Sequence, residues 1–215
     1  TFRDLQDDGT EIDLEDDLNL GGDNGNYYYI ALEHGVPVLP NIKISRAELD
    51  ESAPSELSRN ITFDDITFPA TANVNSSMDL SHTDFTFYYE VLDNWLNLDL
   101  GLTARQFDGG FEVRGSDGIT TVTASIDMEF TVPLVYAKAQ IDLPLTGLYV
   151  GTDINWIGYG GSSFHDVWAR IGYVFGFGLG IEAGYRQLKL DVDDIDDLEA
   201  NVTVDGNYLA ATFHF

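Results

Sequence analysis

Leu96-Asn-Leu-Asp-Leu-Gly-Leu-Thr-Ala-Arg105 is the stretch that decides the fold of this 215-residue chain. Its even-numbered positions are apolar up to Ala104, whereas its odd-numbered positions are polar or glycine. Because successive side chains of a β-strand point to opposite faces, this pattern predicts a strand with one apolar face and one polar face. The polar face carries both Asp99 and Arg105, which do not suit an apolar core. The stretch therefore predicts a strand that separates apolar surroundings from a polar interior.

The same alternation recurs along the chain and predicts nine strands from Tyr27 onward. Glycine and aromatic residues are plentiful, and long stretches of helical period are lacking, which favours an all-β chain. The predicted strands cover residues 27–38, 42–49, 80–92, 95–105, 121–145, 148–159, 167–175, 179–186 and 207–215.

One predicted strand, 121–145, changes phase partway along its length. Its apolar positions are even-numbered from Ile126 to Val132 and odd-numbered from Ala137 to Leu143. A β-bulge shifts the register by one residue, and a proline cannot donate a ladder hydrogen bond. We therefore expect a bulge near Pro133.

Composition excludes several classes of protein. Cysteine is absent, which excludes a disulfide scaffold and cysteine-ligated metal sites. The net charge of −27 argues against nucleic-acid binding, since contacts to phosphate require Lys and Arg. No run reaches the roughly 18 apolar residues of a membrane-spanning helix. The chain begins at Thr1 without Met or an apolar leader, and we expect any signal peptide to have been removed.

The connections between the predicted strands are of two kinds. Those near residues 36–41, 93–94, 145–147 and 176–178 are short, whereas those near 6–26, 50–77, 106–120 and 191–203 are long and polar or acidic; only 158–163 is short among the second group. Outer-membrane barrels have short periplasmic turns and longer external loops. The sequence thus predicts an antiparallel transmembrane β-barrel with short periplasmic turns and long acidic extracellular loops.

Strand length and side-chain placement fit the same prediction. A tilted strand of about ten residues spans the roughly 25 Å apolar band of such barrels. The polar faces bring charges of both signs to a common interior, at Glu33, Lys43, Glu90, Asp99, Arg105, Lys138, Asp142, Asp153, Arg170, Glu182 and Arg186. Aromatic side chains cluster beside the short turns, as in an interfacial girdle, at Trp95, Tyr173, Phe175, Phe177, Phe213 and Phe215.

The end of the chain, Asn207-Tyr-Leu-Ala-Ala-Thr-Phe-His-Phe215, alternates in the same way and stops on an aromatic residue. In this feature, and in pattern over essentially its whole length, the chain resembles the small outer-membrane β-barrels of Gram-negative bacteria. The terminal pattern resembles the signal read by the barrel assembly machinery. The resemblance implies insertion into the cell outer membrane, in contact with lipid and lipopolysaccharide.

A narrower resemblance lies near the start of the chain. Leu18-Asn-Leu-Gly-Gly-Asp-Asn24, followed by Tyr27-Tyr-Tyr-Ile-Ala-Leu-Glu-His34, resembles an uncharacterised proteobacterial outer-membrane protein family with a Gly-Gly signature near its N-terminus. This resemblance implies no catalytic, cofactor-binding or metal-binding residues.

The parity of the strands predicts how many there are. If the last strand descends to the end with the short turns, a tenth strand must rise ahead of the loop at 6–26. Residues 1–5 would form only its upper end. We therefore predict a single barrel domain over residues 1–215, with ten strands and an incomplete first strand. Eight strands are the alternative if two segments belong to loop hairpins.

Histidine and acidic residues are the candidates for catalysis. His82 and Asp84 share one strand face near the predicted outer rim, and His165 precedes Asp166 at a loop edge. Ten-stranded outer-membrane proteases use acidic and His groups at such a rim, so a rim-active surface hydrolase is an alternative function. Adjacent residues 165 and 166 point to opposite faces, however, which favours solvated or hydrogen-bonded histidines without catalysis.

Two acidic segments, 11–17 and 191–199, carry carboxylates that could bind divalent cations such as Ca²⁺. Neither has the glycine and late glutamate spacing of an EF-hand loop, so solvated acidic loops are the alternative. Bridging of divalent cations to lipopolysaccharide phosphates is a third interpretation.

The predicted interior favours a plug over a channel. Barrels of about eight strands are filled by side chains, and ten strands lie near that limit. The inward-facing side chains would occupy much of the cross-section of the barrel interior; they are Tyr29, Tyr88, Tyr149 and Trp168. We therefore predict an integral outer-membrane barrel without enzymatic activity, porin-like in architecture, with a structural, surface-interaction or narrow-permeation role.

Overall fold

A computed structural model describes residues 1–4, 10–22, 24–36, 38–63, 66–116, 121–195 and 198–213, which form antiparallel β-structure without a helix. The strands are β1 Phe2–Asp4, β2 Asn26–Leu32, β3 Asn41–Glu48, β4 Asp50–Glu56, β5 Ile61–Phe63, β6 Ile66–Phe68, β7 Asn73–Asp79, β8 His82–Leu92, β9 Leu96–Phe107, β10 Gly109–Ser116, β11 Thr121–Met128, β12 Thr131–Asp142, β13 Leu148–Tyr159, β14 Ser162–Val174, β15 Leu179–Ile195 and β16 Leu198–Phe213. The predicted all-β class is confirmed. In the described ranges, no helix has the length and apolar character needed to cross a membrane.

Ten strands form one sheet in the order β1-β16-β15-β14-β13-β12-β9-β8-β3-β2, and neighbouring strands are antiparallel. This sheet is curled, as contacts across its concave face between strands far apart in that order show. Lys43 Nζ of β3 lies 3.5 Å from Asp153 Oδ2 of β13. The ring centroids of Tyr27 (β2) and Trp168 (β14) are 4.7 Å apart. Eight of the nine strands predicted from Tyr27 onward have a counterpart in the curled sheet, whose tenth strand is β1. The remaining one, predicted over 121–145, is two strands, of which only β12 belongs to this sheet.

The two faces of the curled sheet differ as the alternation predicts. On β9, Asp99, Thr103 and Arg105 are buried on the concave face, whereas Leu100 and Leu102 are exposed on the convex face. The convex face of the sheet exposes many large apolar side chains, including Tyr28, Ile30, Leu32, Ile44, Phe85, Phe87, Tyr89, Val135, Val150, Ile154, Trp156, Ile171, Ile181, Leu209 and Phe213. The polar and apolar sides of these strands are thus correctly predicted.

One end of the curled sheet, the turn end, carries short connections. They cover residues 93–95, 143–147 and 175–178, and Leu145 and Gly147 adopt positive φ angles of 65° and 76°. A row of aromatic rings lies here, with centroids 4.9 Å apart for Tyr173 and Phe175 and 5.8 Å for Phe175 and Phe177. These aromatic residues lie beside the short turns as predicted, but Phe215 and His214 fall outside the described residues.

The long connections at the opposite end are largely strands, which corrects the prediction of loops. Within 50–77 and 106–120, β4, β7 and β10 join β11 in a second sheet of order β11-β10-β7-β4, and β5 pairs with β6 in a hairpin. The predicted acidic loop at 191–203 mostly continues β15 and β16. We call residues 10–20 together with β4–β7, β10 and β11 the cap, and this end of the curled sheet the cap end.

The cap has its own apolar core, which explains why these segments fold. Ile12 and Leu18 of the segment 10–20 are buried against the cap strands. The cluster also buries Leu20, Ala53, Leu57, Ile61, Phe63, Phe68, Val74, Leu80, Phe111, Val113 and Ala124. Ala200 and Val202 of β16 belong to the same cluster. The cap is therefore packed directly onto the β15–β16 hairpin.

The predicted bulge at Pro133 is wrong. Pro133 pairs with Ala104 in an unbroken register from Thr131 to Ile141 of β12. The phase changes at residues 129–130, where the chain leaves β11 of the cap and enters β12 of the curled sheet. Two strands in different sheets need not share a phase, so the shift needs no bulge.

Candidate functional site

The concave face of the curled sheet gathers half of the ten Lys and Arg side chains of the chain. These are Lys43, Arg105, Lys138, Arg170 and Arg186, each within 4 Å of a carboxylate oxygen. Burial of ions in these numbers is costly unless each is paired and hydrogen-bonded. The charged interior is consequently the strongest candidate for a functional site.

An upper cluster lies towards the cap end and consists of His82, Asp84, Arg105, Asp166 and Arg186. Arg105 binds Asp84 through two contacts, Nε–Oδ1 at 2.7 Å and Nη2–Oδ2 at 2.6 Å. Arg105 Nη2 also donates to Asp166 Oδ2 at 2.8 Å. Asp166 in turn accepts from Arg186 Nε at 2.9 Å and from its Nη2 at 2.7 Å. Asp166 is thus held between two arginines from different strands.

Most of the upper cluster is buried, and only the Arg186 side chain reaches the neighbouring cavity. Asp166 is 0% exposed and Arg105 is 1% exposed. The Arg186 guanidinium lies 4.5 Å from the Trp168 ring centroid, and that of Arg105 lies 5.2 Å from the Phe164 ring centroid. Such cation–π contacts are strongest where water is excluded.

An apolar layer links the upper cluster to the cap. Phe107, Leu134, Phe164 and Leu188 are buried together on the concave face. Leu49 and Leu190 pack against this layer and also against the cap core. Apolar side chains therefore connect this layer to the cap core.

A lower cluster lies nearer the turn end and consists of Lys43, Tyr149, Asp153, Arg170, Glu182 and Tyr208. Arg170 pairs with Asp153 and lies 3.6 Å from Glu182 Oε2. The hydroxyls of Tyr149 and Tyr208 donate to the two oxygens of Glu182 at 2.8 and 2.7 Å. Glu182 therefore receives hydrogen bonds from strands on both sides of β15.

Glycines on the concave face make room for these tyrosine rings. Gly172 lies directly opposite Tyr149, and a Cβ atom there would lie 2.2 Å from the ring. Gly184 lies opposite Tyr208 in the same way, at 2.6 Å. A side chain at either glycine would displace a ring that holds Glu182, which explains why the lower cluster needs glycine at both positions.

A cavity of about 1500 Å³ lies on the concave face beside the lower cluster. Its lining includes Tyr29, Tyr136, Lys138 and Arg170, together with residues of β2 and β16. Asp84, Arg105 and Asp166 do not line it. It does reach the upper cluster at Arg186 and the apolar layer at Leu188.

The candidate catalytic residues are only partly brought together. His82 and Asp84 share the concave face as predicted, but His82 is 1% exposed. Its Nδ1 lies 2.8 Å from the Leu80 carbonyl oxygen, and its Nε2 lies 3.1 Å from Arg186 Nη2. This geometry makes Nδ1 the donor and Nε2 the acceptor of a neutral ring. His165 pairs with Lys189 and Trp156 on the other face, away from Asp166. Both ring nitrogens of His82 therefore have partners within the protein.

The acidic segment 11–17 binds the guanidinium group of Arg59. Arg59 donates from Nε and Nη2 to Asp17 at 3.1 and 2.5 Å, and from Nη2 to the Glu11 carbonyl at 2.6 Å. Burial raises the pKa of Asp17, but hydrogen bonds from Arg59 and from the Asp13 N–H outweigh it, so the pKa lies below its usual value. Within the described part of the chain, no group of three or more His, Asp or Glu residues could hold a metal ion. The segment 191–199 includes residues 196 and 197, which lie outside that part.

Sequence reasoning identified the inward charges but missed most of their partners. Asp84 and Arg105 are direct cross-strand neighbours, as are Asp99 and Lys138, so these two pairs follow once the register is known. The contact between Arg105 and Asp166 joins β9 to β14 across the concave face. No local pattern in the sequence reports such a contact.

Together these features define the class of protein: an all-β chain with a curled antiparallel sheet, buried charges on the concave face and apolar side chains on the convex face. Comparison with protein-family models, curated proteins and solved structures finds no match for this chain.

Proposed function

We propose that this chain is an integral outer-membrane protein whose curled sheet forms the wall of a closed ten-stranded transmembrane β-barrel. It acts without catalysis, in a structural or surface-interaction role. The observation that carries the proposal is the inverted distribution of polarity. Leu102 is 64% exposed and Ile30 is 63% exposed on the convex face, while Asp166 and Arg105 are buried on the concave face.

A bilayer accounts for this inversion better than water does. Soluble monomers rarely expose a continuous apolar surface as extensive as the convex face of this sheet. Outer-membrane barrels have an outward apolar band of about 25 Å, flanked by aromatic residues. Trp95 and Phe177 are exposed at the turn end, where such a flank is expected.

The asymmetry of the two ends supports one orientation. The turn end, with its short connections, would face the periplasm, and the cap would project from the cell surface. The partners expected of such a protein are outer-membrane lipid and lipopolysaccharide around the apolar convex face, and the barrel assembly machinery at β16. Divalent cations that bridge acidic side chains of the cap to lipopolysaccharide phosphates remain part of this hypothesis.

The packed cap end favours a structural or surface role over permeation. The cavity reaches Arg186 and Leu188, but Asp84, Arg105 and Asp166 do not line it. Leu188 belongs to the apolar layer with Phe107 and Leu134, which also do not line the cavity. An ion that moved from the cavity through the cap core would have to cross this apolar layer. Planar-bilayer recordings should therefore show no conductance steps, and regular steps would contradict this part of the proposal.

Leu102→Arg tests membrane insertion. Because Leu102 is exposed, the change should be nearly neutral if the convex face meets water. If that face meets lipid near the midplane, it should reduce the free energy of unfolding by about 2–4 kcal/mol. Reversible folding into phosphatidylcholine vesicles, followed by urea titration, measures the difference.

Gln106→Arg is the matched control. Gln106 lies on the same strand and the same face, four residues closer to the cap end. Near the membrane interface an arginine costs only about 0–1 kcal/mol. Equal effects of the two variants, or a chain that folds in buffer without detergent or lipid, would contradict the proposal.

A further inference from the structure

The curled sheet has a seam between β16 and β2. In the described residues, β16 from Val202 to Thr212 pairs only with β15, and β2 pairs only with β3. Both edges line the same cavity of about 1500 Å³. Two facing edges with free backbone donors and acceptors form a template for another strand.

The side chains behind the seam show that its two edges are close. The Trp168 ring lies between Tyr27 of β2 and Tyr208 of β16, with centroid distances of 4.7 and 5.0 Å. The Tyr27 and Tyr208 centroids are thus within about 10 Å of each other. Rings from both edges thus meet on Trp168, and the two edges face each other across the cavity.

β1 already leads into this seam. Phe2 pairs with Ala200, and Asp4 pairs with Leu198, antiparallel to β16. At Thr1 the ladder is still formed, because the Thr1 amino group donates to the Asn201 carbonyl at 2.7 Å and the Asn201 N–H donates to the Thr1 carbonyl at 2.9 Å. A residue joined to Thr1 in extended conformation would lie opposite Val202, and each earlier residue would lie one position further along β16.

We propose that the seam is a strand-acceptor site whose occupant is a β-strand covalently continuous with Thr1, antiparallel to both β16 and β2. Continuity with the β1–β16 ladder favours this occupant over a separate peptide or a second copy of the chain. The inference deepens the barrel proposed above and rests on it for the need to close the wall. In lipid, backbone groups at an open edge have no water to bond.

The register of β1 sets the side-chain pattern of the occupant. Side chains directly opposite each other in a ladder share a face. Residues opposite Asn207, Leu209 and Ala211 face outward and should be apolar; they are the sixth, eighth and tenth residues ahead of Thr1. Residues opposite Tyr208, Ala210 and Thr212 face the cavity and should be small or polar.

The absence of native cysteine makes a cross-linking test clean. A designed strand of eleven residues with this pattern is fused ahead of Thr1 and combined with Ala210→Cys. Its residues are counted back from Thr1, and cysteine is placed at the ninth, which lies opposite Ala210. Since Thr1 and Asn201 exchange both hydrogen bonds, the ninth residue and Ala210 form a non-hydrogen-bonded pair, with side chains close enough for a disulfide. We expect rapid oxidation within one chain in detergent micelles.

Matched controls test the pairing register of the added strand and whether it must come from the same chain. Cysteine at the tenth residue faces the opposite side and should not form the bond; equal yields at the ninth and tenth residues would overturn the proposal. A free peptide of the same design, at about 10 μM, should react about a hundredfold more slowly, because a short tether gives a millimolar effective concentration. Equal rates for the free peptide would assign the seam to a separate partner. Bonds formed chiefly between two chains would assign it to a second copy.

The cross-link does not require a bilayer, so its outcome is separable from that of Leu102→Arg. A register-specific bond with no penalty for Leu102→Arg would support the acceptor site and contradict the membrane proposal. A penalty for Leu102→Arg without the bond would support the membrane proposal and contradict the acceptor site.

Discussion

The curled sheet and the cap are built from the same kind of strand and bury opposite faces. The cap buries Phe63 and Val113 and turns most of its charges outward, as a water-soluble β-protein does. The curled sheet buries Arg105 and Asp166 and turns Leu102 outward. Alternation along a strand says that two environments differ, but not which of them is inside. Under the proposed function the two regions meet different surroundings, lipid around the curled sheet and water around the cap.

The largest expected effect is in the charged interior. Asp166→Ala removes the carboxylate that Arg105 and Arg186 share and leaves two buried guanidinium groups with fewer partners. Breaking a buried ion pair in this way costs about 3–5 kcal/mol. Urea titration in detergent micelles should show this loss in the free energy of unfolding.

Asp127→Ala is the control for the acidic side chain itself. Asp127 is exposed on β11 of the cap, and its removal should change stability by no more than about 0.5 kcal/mol. A similar small effect of Asp166→Ala would mean that the charged interior does not hold the curled sheet together, and the contrast between the two regions would lose its energetic basis.

The second effect compares one substitution in both regions. Leu57 is 2% exposed in the cap core, and Leu57→Ala should cost about 3 kcal/mol through lost burial and the cavity left behind. Leu102→Ala on the convex face removes an exposed side chain and should cost less than about 1 kcal/mol. Hydrogen exchange should show faster opening of β4 and β7 for Leu57→Ala and unchanged protection for Leu102→Ala.

The outcome that would contradict this prediction is loss of protection over the whole chain in Leu57→Ala. That result would make the cap and the curled sheet one cooperative unit. Protection lost only in β4–β7, β10 and β11 would show that the cap opens separately, as subregions with their own core often do.

Much of the curled sheet could be predicted from sequence because the period of a strand is local. Leu96–Arg105 shows both faces of β9 without reference to any other strand. The cap could not be predicted in the same way. β5 and β6 are three residues each, too short for an alternation to stand out, and their burial depends on Ile12 and Leu18 from a distant segment.

The charged interior was predictable as a face and not as a network. The side-chain direction of Arg105 follows from alternation, and its pairing with Asp84 follows from the register of β8 and β9. Its contact with Asp166 depends on how tightly the sheet curls, because β12 and β13 lie between β9 and β14. Curl is a property of the whole sheet, which explains why local patterns do not contain it.

The smallest expected effect is the pH dependence of the cap. The pKa of Asp17 lies below its usual value in the folded chain, so its bond with Arg59 contributes stability above the unfolded pKa of about 3.9. The contribution is lost as pH falls through the folded pKa. Because Arg59 is 46% exposed, the effect is about 1 kcal/mol or less.

Asp17→Asn should therefore lower the urea midpoint of the Ile12 and Ile61 methyl NMR signals at pH 7, and the difference from the unaltered chain should shrink towards zero below pH 4. Asp16→Asn, at an exposed neighbouring carboxyl, should leave the midpoint unchanged at both values. A constant difference for Asp17→Asn across this range would mean that the carboxylate charge does not stabilise the cap.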